Sequence, residues 1–225
     1  MPEIKLNKLQ IDILSFWEKD NFAHNFYWTG GTLLAFKYLK HRKSIDLDFF
    51  SDNLFTNDEY LSFINRLKKV LNCQKITMTL SYNRRQYLIT RKLTTAKLEL
   101  VYFPFAKIED RKMLEQYSVK TDSLTDIMVN KILSTYQRNE VKDIYDLYFY
   151  FKNKPKYNLQ KLTKLVETKF GVSIEPILLL SKINKLTNNL DSITPLLLQK
   201  PKNLTEKIKL FFQKEFNKIA REKIK

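Results

Sequence analysis

Apolar residues recur along this chain with two different periods, and the change from one to the other divides it. In the first half, helical and strand-like stretches alternate. Leu6, Leu9, Ile13, Phe16 and Trp17 share one face if residues 4–23 are helical. Phe26-Tyr27-Trp28 predicts a short strand, and helices follow over 32–40 and 57–71, the second capped by Thr56 or Asn57. Residues 45–50 alternate as a strand. Ile76, Met78, Leu80 and Tyr82 do the same, and a turn at Asn83-Arg84-Arg85 returns the chain along 86–92 as a hairpin. Residues 96–103 predict one more strand, ended by Pro104. From Ser123 onward apolar residues come every three or four, predicting helices over 123–137, 141–152, 159–170, 174–188 and 204–223. Pro155, Pro176, Pro195 and Pro201 punctuate them. The pattern predicts an α+β protein, with a mixed sheet and flanking helices in residues 1–120 and a helical half in 121–225.

Composition narrows the class. With 225 residues, 44% hydrophobic and 28% charged, the chain is long and apolar enough to bury a core. No apolar run reaches the roughly 18–20 residues of a membrane helix, so no membrane partner is expected. The opening MPEIKLNKLQ lacks the apolar core of a signal peptide, and one cysteine, Cys73, excludes an internal disulfide. Both point to a cytoplasmic protein. Two histidines, His24 and His41, are too few for a Cys/His zinc cluster. The net charge is +16, and it is uneven: residues 151–225 carry 17 Lys and Arg against 6 Asp and Glu. A cationic half suits a polyanionic partner, although solvated lysines would give the same count.

The candidate chemistry is concentrated in WTGGTLLAFKYLKHRKSIDLDFF, residues 28–50. Two of the chain's three glycines, Gly30 and Gly31, sit between the first strand and a helix. Such a turn lets backbone approach a phosphate at the helix N-terminus, and Thr32 adds a hydroxyl to the phosphate or as a cap. Asp46 and Asp48 are two apart on a strand, so they project from one face while Ile45, Leu47 and Phe49 face a core. Paired carboxylates there are costly without a cation, and hard ions such as Mg²⁺ bind carboxylate oxygen. Taken singly, each motif also fits an ordinary strand-to-helix turn or a solvated strand end. Glu99 in KLELV points away from Leu98 and Leu100 and would complete a three-carboxylate metal cage if its strand neighbours 45–50. A surface glutamate is its plainer reading. Further on, Lys131 and Arg138 fall on one helix face, suited to a triphosphate, with Lys142-Asp143 and Asp146 opening the next helix. Asp143 could orient Lys131 or hold part of a bound nucleotide. Salt bridges between exposed helix positions would explain the same residues.

Together these segments, with NKILSTYQRNEVKDIYDLYF downstream, closely resemble the nucleotidyltransferase toxins of the AbiEii/AbiGii family, relatives of polymerase-β-type nucleotidyltransferases. The matching motifs span about residues 26–150. The resemblance implies a nucleotidyltransferase-type sheet, with Gly30, Gly31 and Thr32 at the phosphate turn and basic His41-Arg42 just before the acids. It implies Asp46 and Asp48 on Mg²⁺ or Mn²⁺, Glu99 as third ligand, and catalytic or nucleotide-binding roles for Arg42, Lys131 and Asp143. The helical half would complete the NTP site and offer a basic surface. The implied activity is transfer of nucleotides from an NTP to an RNA acceptor, the tRNA 3′ end, inhibiting translation in a toxin–antitoxin or phage-defence system with a cognate antitoxin. This chain departs from the wider pattern in Glu99, where Asp is usual, and Thr32, where serine is usual. The same residues would also serve a transferase or kinase that modifies protein, or an inactive module that only binds.

Overall fold

The computed structural model describes residues 4–153, 155–198 and 202–224. The chain forms two compact units, Met1–Ser123 and Leu124–Lys225.

The first unit is built on a seven-stranded mixed sheet. Its strands are Tyr27–Thr29 (β1), Asp46–Ser51 (β2), Lys75–Ser81 (β3), Arg84–Arg91 (β4), Thr94–Tyr102 (β5), Lys112–Leu114 (β6) and Val119–Thr121 (β7), in spatial order β3-β4-β5-β2-β1-β7-β6. β2 pairs parallel with β5 and antiparallel with β1, while β1 pairs parallel with β7. Helices Lys8–Trp17 (α1) and Asn57–Leu71 (α3) flank the sheet, and both begin with capping boxes, Asn7 with Gln10 and Thr56 with Glu59. Leu47, Phe49, Leu98 and Leu100 are fully buried, and the Trp17 ring stacks on Phe49 and meets Phe63 edge-on. That apolar face leaves the opposite face of β2 and β5 for Asp46, Asp48, Lys97 and Glu99.

The sequence expectation needs four corrections here. The first helix is shorter than 4–23, because the chain turns after Trp17 into a short 3-10 turn at Ala23–Asn25. The β3–β4 turn is only Tyr82-Asn83, with Tyr82 at positive φ, so Arg84 lies in the ladder opposite Ser81. Ile45, expected in the core, is exposed because it precedes β2, which begins at Asp46. The short strands β6 and β7, for which the pattern predicts no element, have too few residues to show a period.

The second unit contains the helices Leu124–Gln137 (α4), Val141–Lys152 (α5), Leu159–Phe170 (α6), Pro176–Leu186 (α7) and Leu204–Ile224 (α8), plus a 3-10 segment Thr187–Leu196. Gly171, in the left-handed conformation, closes α6, and Pro176 starts α7. No described helix is long and apolar enough to cross a membrane.

Candidate active site

The glycine turn begins helix α2, which runs from Gly30 to Leu33 and continues as a π-helical stretch to Leu39. Lys40 ends it in the left-handed conformation, its N–H bonding back to the carbonyl of Ala35. The wider π turn sends the Lys37 ammonium to the Thr121 hydroxyl (2.7 Å) and the Tyr38 hydroxyl to the Asp122 carbonyl (2.7 Å). Thr29 donates to the buried Asp122 carboxylate at 2.9 Å. These bonds hold the turn against the β1 and β7 ends.

Gly30 has φ +79°, and a Cβ there would stand 1.9 Å from Asp48 Oδ2. The backbone of the turn therefore lies directly against the second carboxylate, and only glycine permits both the dihedral and the approach. A Cβ on Gly31 would stand 2.8 Å from Nη2 of Arg42, whose side chain is almost wholly buried and whose Nη1 donates to the Lys43 carbonyl. Thr32 gives its hydroxyl to Ser44 Oγ at 2.8 Å, tying the start of the helix to the approach to β2. Gly30→Ala should cost about 1–3 kcal/mol from backbone strain and displace Asp48 as well. The expected result is a lower melting temperature together with loss of transfer activity; unchanged values of both would contradict this geometry.

Asp46 and Asp48 share the exposed side of β2, as the alternation predicts, and both are half-buried. The strand pairing sets Asp46 beside Lys97 and Asp48 beside Glu99. Glu99 is buried and engaged by three neighbours: Lys97 Nζ at 2.7 Å, Arg84 Nη1 at 3.1 Å and Gln86 Nε2 at 2.6 Å. Burial pushes its carboxyl up, but Lys97, Arg84 and Gln86 together hold it below the ordinary glutamate range. Burial likewise opposes the charge on Lys97, yet Glu99, Asp46 and Asp48 outweigh it and raise its proton affinity. Among the described residues, no three His, Cys, Asp or Glu side chains form a group able to hold a metal ion. The paired oxygens of Asp46 and Asp48 nonetheless suit a hard divalent cation. Glu99 would join them only by exchanging Lys97. Sequence reasoning overlooked Lys97, Arg84, Gln86 and Ser44. Lys97 was visible as the i−2 neighbour of Glu99, whereas Arg84 needed the correct turn.

In the second unit, the Lys131 ammonium lies 2.6 Å from Asp143 Oδ1 and 2.8 Å from Asp146 Oδ2. Both carboxylates are fully buried, and Lys131 is only 6% exposed. Arg138 adds Nε to Asp143 Oδ2 at 2.9 Å. Lys131 and Arg138 thus converge on one carboxylate of the neighbouring helix, where the sequence reading had them side by side toward a triphosphate. Lys142 is outside this cluster, near Glu140 at 4.0 Å. A second buried pair, Lys169 with Asp126 at 2.7 Å, joins α6 to α4. Burial raises the Asp143 carboxyl, but Lys131 and Arg138 lower it further, to a net value below the ordinary range. Its contribution to stability is therefore present above the unfolded-state value of about 3.9 and is lost as pH falls through the lower folded value. Acid unfolding followed by circular dichroism should show a shallower slope below about pH 4 in Asp143→Asn. An unaltered slope would place the titrating charge elsewhere.

The family described as "Nucleotidyl transferase AbiEii toxin, Type IV TA system" matches residues 12–225. An uncharacterized protein of Aquifex aeolicus (strain VF5) is 28% identical over 171 residues, covering 74% of this chain and 76% of that protein. The crystal structure of JHP933 from Helicobacter pylori is similar at a TM-score of 0.61, with 17% identity and 97% of each chain covered. A second H. pylori structure, described as a candidate nucleotidyltransferase, gives a TM-score of 0.61 at 18% identity, covering 95% of this chain and 94% of that one. At these identities the two structures speak for the fold alone. The family match extends over nearly the whole chain, beyond the segments that carry the motifs, and the protein is therefore a member of the AbiEii nucleotidyl transferase toxin family, an enzyme family of type IV toxin–antitoxin systems.

Proposed function

We propose that this enzyme transfers nucleotides from an NTP to an RNA acceptor, the tRNA 3′ end, with a divalent metal, and so inhibits translation in the cytoplasm as a toxin–antitoxin or phage-defence effector. The observation that carries the transferase chemistry is the contact of the Gly30 backbone with the Asp48 carboxylate. It brings a phosphate-binding turn and a cation-binding pair within one van der Waals distance. Mg²⁺ or Mn²⁺ bound there would neutralise phosphate charge and favour departure of pyrophosphate. Asp46 and Asp48 hold that charge in place. The N–H groups of the first helical turn after Gly30 would meet phosphate oxygens, and the buried guanidinium of Arg42 backs the turn at Gly31. Glu99, Lys131 and Asp143 keep the catalytic roles expected for the family as part of the same proposal. Glu99 fills its role on exchanging Lys97.

The RNA acceptor is supported by the second unit's charge. Along α8, Ile208, Phe212 and Ile219 are buried, while Lys207, Lys209, Lys214, Lys218 and Arg221 are exposed. Lys214, Asn217, Lys218, Arg221 and Glu222 line an open cleft of ≈ 420 Å³. If this surface holds RNA, binding should fall with salt at a slope of about −3 or steeper in log K against log salt, from roughly −0.7 per phosphate contact. Neutralising Lys202, Lys207 and Lys209, with Lys200 outside the described residues as a fourth, should flatten the slope and spare NTP affinity. RNA binding that ignores both changes would remove this surface from the proposal.

The deciding experiment mixes the purified protein with labelled NTPs, Mg²⁺ and either total RNA or total protein. Label in tRNA is expected. Label only in protein would establish the protein-modifying reading, and label in neither would leave a binding module.

A further inference from the structure

The carboxylate face of β2 and β5 contains its own cation. Lys97 stands beside Asp46 in the parallel pairing and bonds Glu99 at 2.7 Å, while Asp48 is the register partner of Glu99. The register sets Asp46 across from Lys97 and Asp48 across from Glu99, and the charges of Glu99, Asp46 and Asp48 all bear on this ammonium. Its side chain is 29% exposed, open enough to swing away, whereas Glu99 is pinned by Arg84 and Gln86 on the adjacent strand. We propose that Lys97 is a tethered counter-cation of the metal site, a positioning residue that offsets the acids before substrate arrives. It keeps divalent ions from binding firmly until a nucleotide brings its own negative charge. The inference rests on the reading of Asp46 and Asp48 as the cation ligands.

The physical argument is one of competing charge. A fixed positive group within a few ångströms repels a divalent ion and satisfies one of the oxygens that would bind it. A triphosphate reverses the balance: it supplies oxygens to the ion and a partner for the released ammonium. The free enzyme should therefore bind metal weakly and metal–nucleotide well.

The test measures Mn²⁺ binding by electron paramagnetic resonance on the intact protein, without and with a non-hydrolysable NTP analogue. In Lys97→Met, Mn²⁺ affinity without nucleotide should rise on the order of tenfold, and the gain produced by nucleotide should shrink. Lys97→Arg, which keeps the charge, should stay close to wild type. Lys97→Gln serves as the neutral variant if Lys97→Met does not fold. A lower melting temperature with unchanged Mn²⁺ affinity would reduce Lys97 to a structural salt bridge and overturn the proposal. The underlying reading fails separately: Asp46→Asn with Asp48→Asn should abolish the Mn²⁺ signal in both the wild-type and Lys97→Met backgrounds. Mn²⁺ still bound in that double variant would place the metal elsewhere and overturn the inference with the reading.

Discussion

Asp48→Ala is expected to abolish nucleotidyl transfer while leaving the sheet folded. Asp48 touches the glycine turn on one side and shares its strand face with Asp46 on the other. Outer partners of metal ligands cost about 10–100-fold when removed, so loss of a ligand itself should exceed roughly 10²-fold in turnover. Stability should respond little. The Asp48 carboxylate is half-buried, and its removal also relieves repulsion from Asp46 and Glu99. Labelled-NTP incorporation and thermal unfolding without divalent ions check the two parts together. Asp46→Ala should behave in the same way. Wild-type turnover in either variant would sink the cation assignment.

Lys131→Ala is expected to have the largest effect on stability. It removes a charge that bridges Asp143 and Asp146, both fully buried. Breaking a buried pair by deleting one partner costs about 3–5 kcal/mol, because the remaining charges stay out of water. Arg138, with its side chain 44% exposed, offsets part of that for Asp143. The effect should appear as a large fall in melting temperature, against well under about 1 kcal/mol for an exposed helix salt bridge. Lys131→Met combined with Asp143→Asn and Asp146→Asn should recover much of the loss, since the buried charges then disappear together. If activity returns with stability, Lys131 is structural. A folded but inactive triple variant would support the catalytic roles expected of Lys131 and Asp143. A Lys131→Ala protein of wild-type stability would contradict the buried geometry.

The sequence alone determined most of the local elements and the shared face of Asp46 and Asp48. Two-residue alternation places Asp46 and Asp48 on one face whatever else happens, because it follows from the strand backbone itself. The helices at 57–71, 141–152 and 159–170 are likewise written in their apolar spacing and caps, and the structure has them at those bounds. What only the tertiary structure decided was the pairing of segments distant along the chain. The parallel register of β2 with β5 puts Glu99 next to Asp48 and, by the same step, Lys97 next to Asp46. A two-residue turn puts Arg84 on Glu99. The Gly30–Asp48 contact depends on where the helix leaves the sheet. Lys131 read as a cation facing a triphosphate, with an exposed helix salt bridge as the alternative, because periodicity assigns a face but not what covers it. Burial of Asp143 and Asp146 turned that lysine inward, since carboxylates cannot remain charged in a core without a cation beside them.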